Sequence, residues 1–244
     1  MRRLLVINPN TSTTVSALVQ HHVQLAAGPE VQVDAVTARF GAPYIACEAS
    51  YAVAGHALLD AWAADQCNAS VQKPDAVLIA CFGDPGLWAL REGSAAPVTG
   101  LAEASFLQAS RLGGFAVVTG GAKWKPMLLR LALGLDLHRE LIDIHTVAPS
   151  GVELANDPQG ALELLTQACL QAAADPEVRS IILGGAGLAG MAASVQARVT
   201  VPVIDSVIAG TAHALSLNAP SHVHNGFLVQ WAQVSPELSA LGSK

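Results

Sequence analysis

One strand-and-turn pattern is written twice in this chain. Val77-Leu78-Ile79-Ala80-Cys81-Phe82-Gly83 aligns with Ile181-Ile182-Leu183-Gly184-Gly185-Ala186-Gly187. At nearly equal separations downstream, Pro97-Val98-Thr99-Gly100 is answered by Pro202-Val203-Ile204-Asp205. Leu5-Val6-Ile7-Asn8-Pro9-Asn10 and Val117-Val118-Thr119-Gly120-Gly121 form a third pair, each an apolar strand breaking into a small polar turn. A supersecondary block repeated in order implies duplication. Short apolar runs bounded by glycine turns and separated by helical stretches read as parallel strands with right-handed crossovers. The expected fold is α/β: two pseudosymmetric lobes, each a parallel sheet flanked by helices, with a cleft between them.

In chain order, Arg3 to Ile7 is a strand, and Asn8-Pro9-Asn10-Thr11-Ser12 supplies good helix N-caps. Val15, Leu18, Val19, Val23 and Ala26 then share one helical face as far as Gly28-Pro29. Further strands are expected over Val31 to Val36 and Ala76 to Ala80, with an alanine-rich helix from Tyr51 to Ala64 between them. The second half begins again with a helix over Leu101 to Leu112 and a strand over Phe115 to Val118. A helix carrying Trp124, Met127, Leu128 and Leu131 on one side follows, then a strand over Leu141 to Val147. Pro158 to Ala174 is a helix with Cys169 on its packed face. Strands over Ser180 to Leu183 and Val201 to Ile204 lead to a closing helix over Ser206 to Leu217. We expect a first lobe over residues 1–99, a second over 100–204, and a closing helix and tail over 205–244 that returns to the first lobe. Ligands in open α/β sheets bind outside the carboxyl ends of the strands, which sets Cys81 and Gly185 on opposite walls.

Composition narrows the functions. A net charge of -6 offers no basic face for a phosphate backbone, so nucleic acid is not an expected partner. With 52% hydrophobic residues a membrane location has to be considered. The best candidate span, Ser180 to Ala197, carries four glycines and is marginal in length; it reads better as strand, turn and helix. Met1 to Ile7 is too short for a signal-peptide core and is broken by Asn8-Pro9-Asn10, so the expected location is cytoplasmic. Cys47, Cys67, Cys81 and Cys169 are widely spaced, without CxxC or a metal-ligand grouping, and are read as reduced thiols. His222-x-His224 has no nearby third ligand, and no metal is expected there.

Cys81 stands out because it follows a strand and precedes small residues near the start of a helix, where the local field favours thiolate. The alternative is a small hydrophobe closing a strand, since free cysteine is among the most buried residue types.

The ordered combination points further. Val6-Ile7-Asn8-Pro9-Asn10-Thr11-Ser12, Ala80-Cys81-Phe82-Gly83-Asp84-Pro85-Gly86-Leu87, Arg91-Glu92, Pro97-Val98 and Gly100-Leu101-Ala102-Glu103-Ala104 resemble the hydantoin and allantoin racemase branch of the Asp/Glu racemase superfamily. Val117-Val118-Thr119, Ile182-Leu183-Gly184 with Ala186-Gly187, and Pro202-Val203-Ile204-Asp205 fit it in order and spacing, from about Arg3 to Leu217. The resemblance implies a cofactor-independent and metal-free isomerase acting on a small molecule, a hydantoin, ureide or amino-acid derivative. In that family two cysteines flank the substrate carbon: a thiolate removes the proton α to a carbonyl, and a thiol on the other face delivers one. By motif match Cys81 is the first acid-base thiol. Asn8 is expected to orient the substrate or the thiol, and Thr119 with Gly120 to hold the corresponding place in the second lobe. Tyr44 is expected to contact substrate from a Pro-Tyr loop. The amides of Phe82 and Gly83 on one wall, and of Gly185, Ala186 and Gly187 on the other, are candidates to hold an enolate oxygen.

One departure bears on the activity. Where the two-cysteine racemases carry their second thiol, this sequence has Gly185, which has no proton to give. Cys47, His145, His213 or a water could supply the missing group. Asp84 reads as a turn or cap residue, and nothing pairs it with Glu103 as an acid-base dyad. The alternatives are a one-thiol decarboxylase or tautomerase, and a non-catalytic ligand-binding protein on a racemase fold. A homo-oligomer is a candidate assembly, with Trp88, Trp124 and Trp231 as its candidate interface aromatics.

Overall fold

The computed structural model describes residues 1–148, 153–154, 157–219 and 226–243. His222 and His224 lie outside the described residues. Strands β1 (Arg2–Asn8), β2 (Val31–Thr37), β3 (Ala76–Ile79) and β4 (Val98–Gly100) form one sheet. Strands β5 (Phe115–Gly120), β6 (Leu141–Val147), β7 (Ser180–Gly184) and β8 (Val203–Asp205) form a second. Their orders are β2-β1-β3-β4 and β6-β5-β7-β8, so each strand of the second sheet takes the place of the strand four before it. All neighbours are parallel. The expected α/β architecture of two parallel sheets flanked by helices is found. β4 and β8 fall on the paired stretches Pro97 to Gly100 and Pro202 to Asp205 and complete the repeat.

The helices are α1 (Thr13–Ala27), α2 (Glu48–Cys67), α3 (Leu87–Gly93), α4 (Leu101–Ser110), α5 (Trp124–Gly134), α6 (Pro158–Ala173), α7 (Ala192–Gln196), α8 (Ser206–Ser216) and α9 (Pro236–Ala240). Their ends follow local chemistry. Ser12 caps α1 by accepting from the Val15 N–H, and Gly28, at φ +80, ends it. α2 starts at Glu48 because Ser50 Oγ accepts from the Cys47 N–H at 3.0 Å.

Strand alternation sorts the core into layers. Leu4, Val6, Leu78, Phe115, Val117 and Ile182 point into one interior shared with Val19 of α1, Phe106 of α4 and Val207 of α8. Leu5, Ile7, Val77 and Ile79 face the other way, onto α2, α3 and the tail residues Phe227 and Leu238. Ala116, Val118, Ile181 and Leu183 face α6 and α7, and Cys169 is buried among them as expected. α4 and α8 pack so closely that a Cβ on Gly210 would lie 2.8 Å from Leu101 Cδ2. The tail lies on the first sheet's outer layer, where Phe227 meets Trp62 edge-on at 5.8 Å. Trp124 does not belong with the interface candidates: it is buried, held between the two halves. Trp88 is half exposed. Among the described residues no helix is long and apolar enough to cross a membrane.

Candidate functional site

In both sheets the order reverses between the first and third strands, and this switch point is where α/β sheets take ligands. A cavity lies there, lined by Asn10, Tyr44, Cys81 and Phe82 from the first half and by Thr119, Trp124 and Gly184 to Leu188 from the second. Its volume is about 50 Å³. At roughly 10–15 Å³ per water-sized site, that suits a small ring.

Cys81 follows β3 and lines the cavity, with 7% of its surface exposed. Asp84 closes its turn by donating its N–H to the Cys81 carbonyl at 3.1 Å, in left-handed backbone at φ +53. The thiol is not activated as the sequence suggests. Burial first, and the neighbouring Asp84 carboxyl second, push it well above the ordinary thiol range, so it is protonated at neutral pH. The physical reason is placement: α3 begins only at Leu87, and the N-terminal N–H groups of α4 are occupied. Asp84 Oδ1 and Oδ2 accept from Ala102 at 3.0 Å and Glu103 at 2.7 Å. Burial raises Asp84 itself to about 7, against the pull of those N–H groups.

The facing wall is backbone. Gly185, at φ +150, donates its N–H to Ser206 Oγ at 3.2 Å. That amide is therefore taken, contrary to its expected role. Ala186 to Leu188 form a 3₁₀ turn whose first N–H groups have no intrahelical acceptor. Ala186 and Gly187 both line the cavity.

Aromatic side chains join the halves. Phe82 lies against β7, and a Cβ on Gly184 would sit 2.3 Å from its ring. Trp124 fills the space a Cβ on Gly83 would need, at 2.4 Å. The Tyr44 hydroxyl donates to the Gly120 carbonyl at 3.2 Å and accepts from Trp124 Nε1 at 3.3 Å.

Of the expected residues, Cys81, Tyr44, Phe82, Thr119, Gly120, Gly185, Ala186 and Gly187 come together around the cavity. Asn8 does not. Its Nδ2 donates to Asn10 Oδ1, the Ser12 carbonyl and Ser16 Oγ, and its Oδ1 accepts from the Asn10 N–H, so it holds the turn. Gly83 also lies outside the lining, and its N–H is drawn towards Asp84. Asn10 takes the place expected of Asn8. Its Oδ1 accepts from the Ser12 N–H at 2.9 Å, which leaves Nδ2 as donor. The Asx-turn pattern Asn-Pro-Asn was the signal for that exchange. Val15, Ile45 and Leu188 carried no functional signal, being apolar residues in ordinary core positions.

Cys47, His145 and His213 all lie outside the cavity lining. Cys47 caps α2, and its hydrogen bond with the Ser50 side chain lowers its pKa. His145 sits 3.5 Å from Asp143 on β6. His213 lies in a separate groove with Arg91 and Glu103. Among the described residues no three His, Cys, Asp or Glu side chains form a metal-binding group.

Residues 4–214 match the family described as Asp/Glu/Hydantoin racemase. A hydantoin racemase from a Pseudomonas species is 32% identical over 213 residues, 87% of this chain and 84% of that protein. One from Paenarthrobacter aurescens is 33% identical over 219 residues, 89% and 91% of the two chains. The solved allantoin racemase from Klebsiella pneumoniae superimposes with a TM-score of 0.86 at 29% identity, covering 99% of each chain.

Proposed function

The chain belongs to the Asp/Glu/hydantoin racemase family and is an isomerase of the racemase type; from that premise we propose that Cys81 exchanges the proton α to a carbonyl on one face of a small neutral cyclic ureide. The observation that carries this reading is that, among the described residues, the cavity holding Cys81 has no Lys, Arg, His, Asp or Glu in its lining. A free amino acid or a malonate would leave its charges without partners there, and a buried unpaired charge is costly. A hydantoin-type ring presents neutral N–H and C=O groups. These suit Asn10 Nδ2, the Thr119 hydroxyl, and the backbone of Gly120, Ala186 and Gly187.

In the forward step the Cys81 thiolate takes the α-hydrogen as a proton, and the C–H electron pair becomes the enolate. We assign the N–H groups of Phe82, Ala186 and Gly187 to hold its oxygen. Where the Sγ–H trades its proton with solvent before giving one back on the same face, the outcome is exchange with retention. Delivery from solvent over Gly185 gives inversion. Because the resting thiol holds its proton, it must first release it, and the exchange rate rises with pH towards the thiol's raised pKa. Gly185 favours a second reading, protonation on one face only. The four unpaired cysteines support a reducing, cytoplasmic setting. We take residues 1–99 and 100–204 as the two lobes, closed by 205–244.

The test follows a 5-substituted hydantoin and allantoin in deuterated buffer, by NMR at the α-carbon and by optical rotation. We expect deuterium uptake with loss of optical activity, and loss of both in Cys81→Ser. Uptake without loss of optical purity would assign the one-face reaction. Uptake that survives Cys81→Ser would remove Cys81 from the mechanism.

A further inference from the structure

Asp84 is a buried titratable group for which proton transfer at the cavity has no direct use. It does not line the cavity, it is 0% exposed, and its backbone is left-handed without being glycine. Such a conformation persists only where the surroundings demand it. Two demands are visible. Its N–H closes the Cys81 turn, and its carboxylate takes the first-turn N–H groups of α4. The helix cannot cap itself, because its N-cap residue is Gly100, and a Cβ there would fall 2.1 Å from Asp84 Cγ. The positive end of α4 is spent on Asp84.

We propose that Asp84 is a positioning residue for Cys81: it ties the thiol's turn to α4, and with its carboxylate on the α4 N–H groups it sets how readily the thiol gives up its proton. The second sheet provides a contrast. There Asp205 caps α8 through the Val207 and Ile208 N–H groups and reaches back to the Gly190 N–H at 2.9 Å. The same tether is made from the helix side, and the turn that carries no thiol carries no acid. Other charged or titratable groups around the pair are Tyr51 of α2, whose hydroxyl donates to the Gly83 carbonyl at 2.7 Å, and Glu103 of α4. Arg91 of α3 pairs with Glu103 at 2.6 Å, and Arg130 of α5 stands over the Tyr51 ring. His213 of α8 is near Glu103. Neither arginine pairs with Asp84, and among the described residues no ion pair reaches its carboxylate.

This inference rests on Cys81 being the acid-base thiol, but its test does not need turnover. Iodoacetamide alkylation of Cys81 is followed against pH in the full chain carrying Cys47→Ser and Cys67→Ser, with Cys81→Ala as the blank. Asp84→Asn and Asp84→Ser are both neutral and both keep an acceptor for α4. In either variant we expect alkylation at pH 8 to rise at least tenfold, with the profile displaced to lower pH. In the unsubstituted Asp84 protein we expect the logarithm of the rate to climb with slope below one near pH 7, as the carboxyl ionises and makes the thiol less acidic. A purely structural Asp84 predicts unit slope throughout and, in a folded variant, no displacement. Unit slope in the Asp84 protein overturns the proposal whether or not the variants fold. Failure of the Cys81 reading is distinguishable, since it shows as α-hydrogen exchange that survives Cys81→Ser.

Discussion

The turn after β3 and the turn after β7 occupy the same place in two sheets of the same strand order, yet they have diverged into different chemistry. The first carries a thiol, a left-handed Asp84 and an aromatic ring that reaches the other sheet. The second carries Gly185, a 3₁₀ turn of N–H groups, and a helix cap at Asp205 that tethers the loop from the opposite side. Duplication supplied one backbone device twice. Changing which partner holds the carboxylate left both loop-to-helix tethers intact while altering the field at the strand end.

The strongest way to break this asymmetry is Gly185→Cys. At φ +150 the new side chain is strained, and Leu188 Cγ, 3.3 Å from the added Cβ, must give slightly. A positioned acid or base contributes about 10²–10⁴-fold. We therefore expect racemisation, read as loss of optical rotation, to rise by roughly 10² relative to one-face exchange. If it does not, the two walls are not facing partners. Next in size is Gly184→Ala, which drives a methyl into the Phe82 ring. Overpacking of this kind costs about 1–3 kcal/mol, to be read as a lowered denaturant midpoint together with weakened exchange. An unchanged midpoint would mean that Phe82 does not bridge the sheets. The smallest is Asp205→Ala. Loss of an N-cap costs about 0.5–2 kcal/mol, and because no thiol sits in that turn, the pH profile of Cys81 alkylation should stay where it was. A shift there would show that the two tethers are coupled.

Much of this was legible without coordinates. The repeat predicted the two sheets, and alternation within Leu4 to Ile7 and Val77 to Ala80 carries the information that divides the shared core from the outer layers. Eight of the ten expected site residues gather at the cavity because strand ends and the turns after them are local features that a motif fixes in place. The misses were of another kind. Asn8 and Asn10 are near neighbours on one turn, and which of them faces a ligand depends on an Asx hydrogen bond that composition does not reveal. Trp124 read as a surface aromatic because its partners, Gly83 and Tyr44, lie far away in sequence.

The sequence by itself determined the parallel α/β fold, the duplicated strand ends, the place of Cys81 at one of them and the lack of a thiol at the other. These follow from periodicity and from residue identity. Only the tertiary structure decided the protonation state of Cys81, which carboxylate caps which helix, and which side chains close the cavity. A pKa and a packing contact depend on burial and on the through-space distance to groups many residues away. Asp84, reaching the first turn of α4, is where that dependence is plainest.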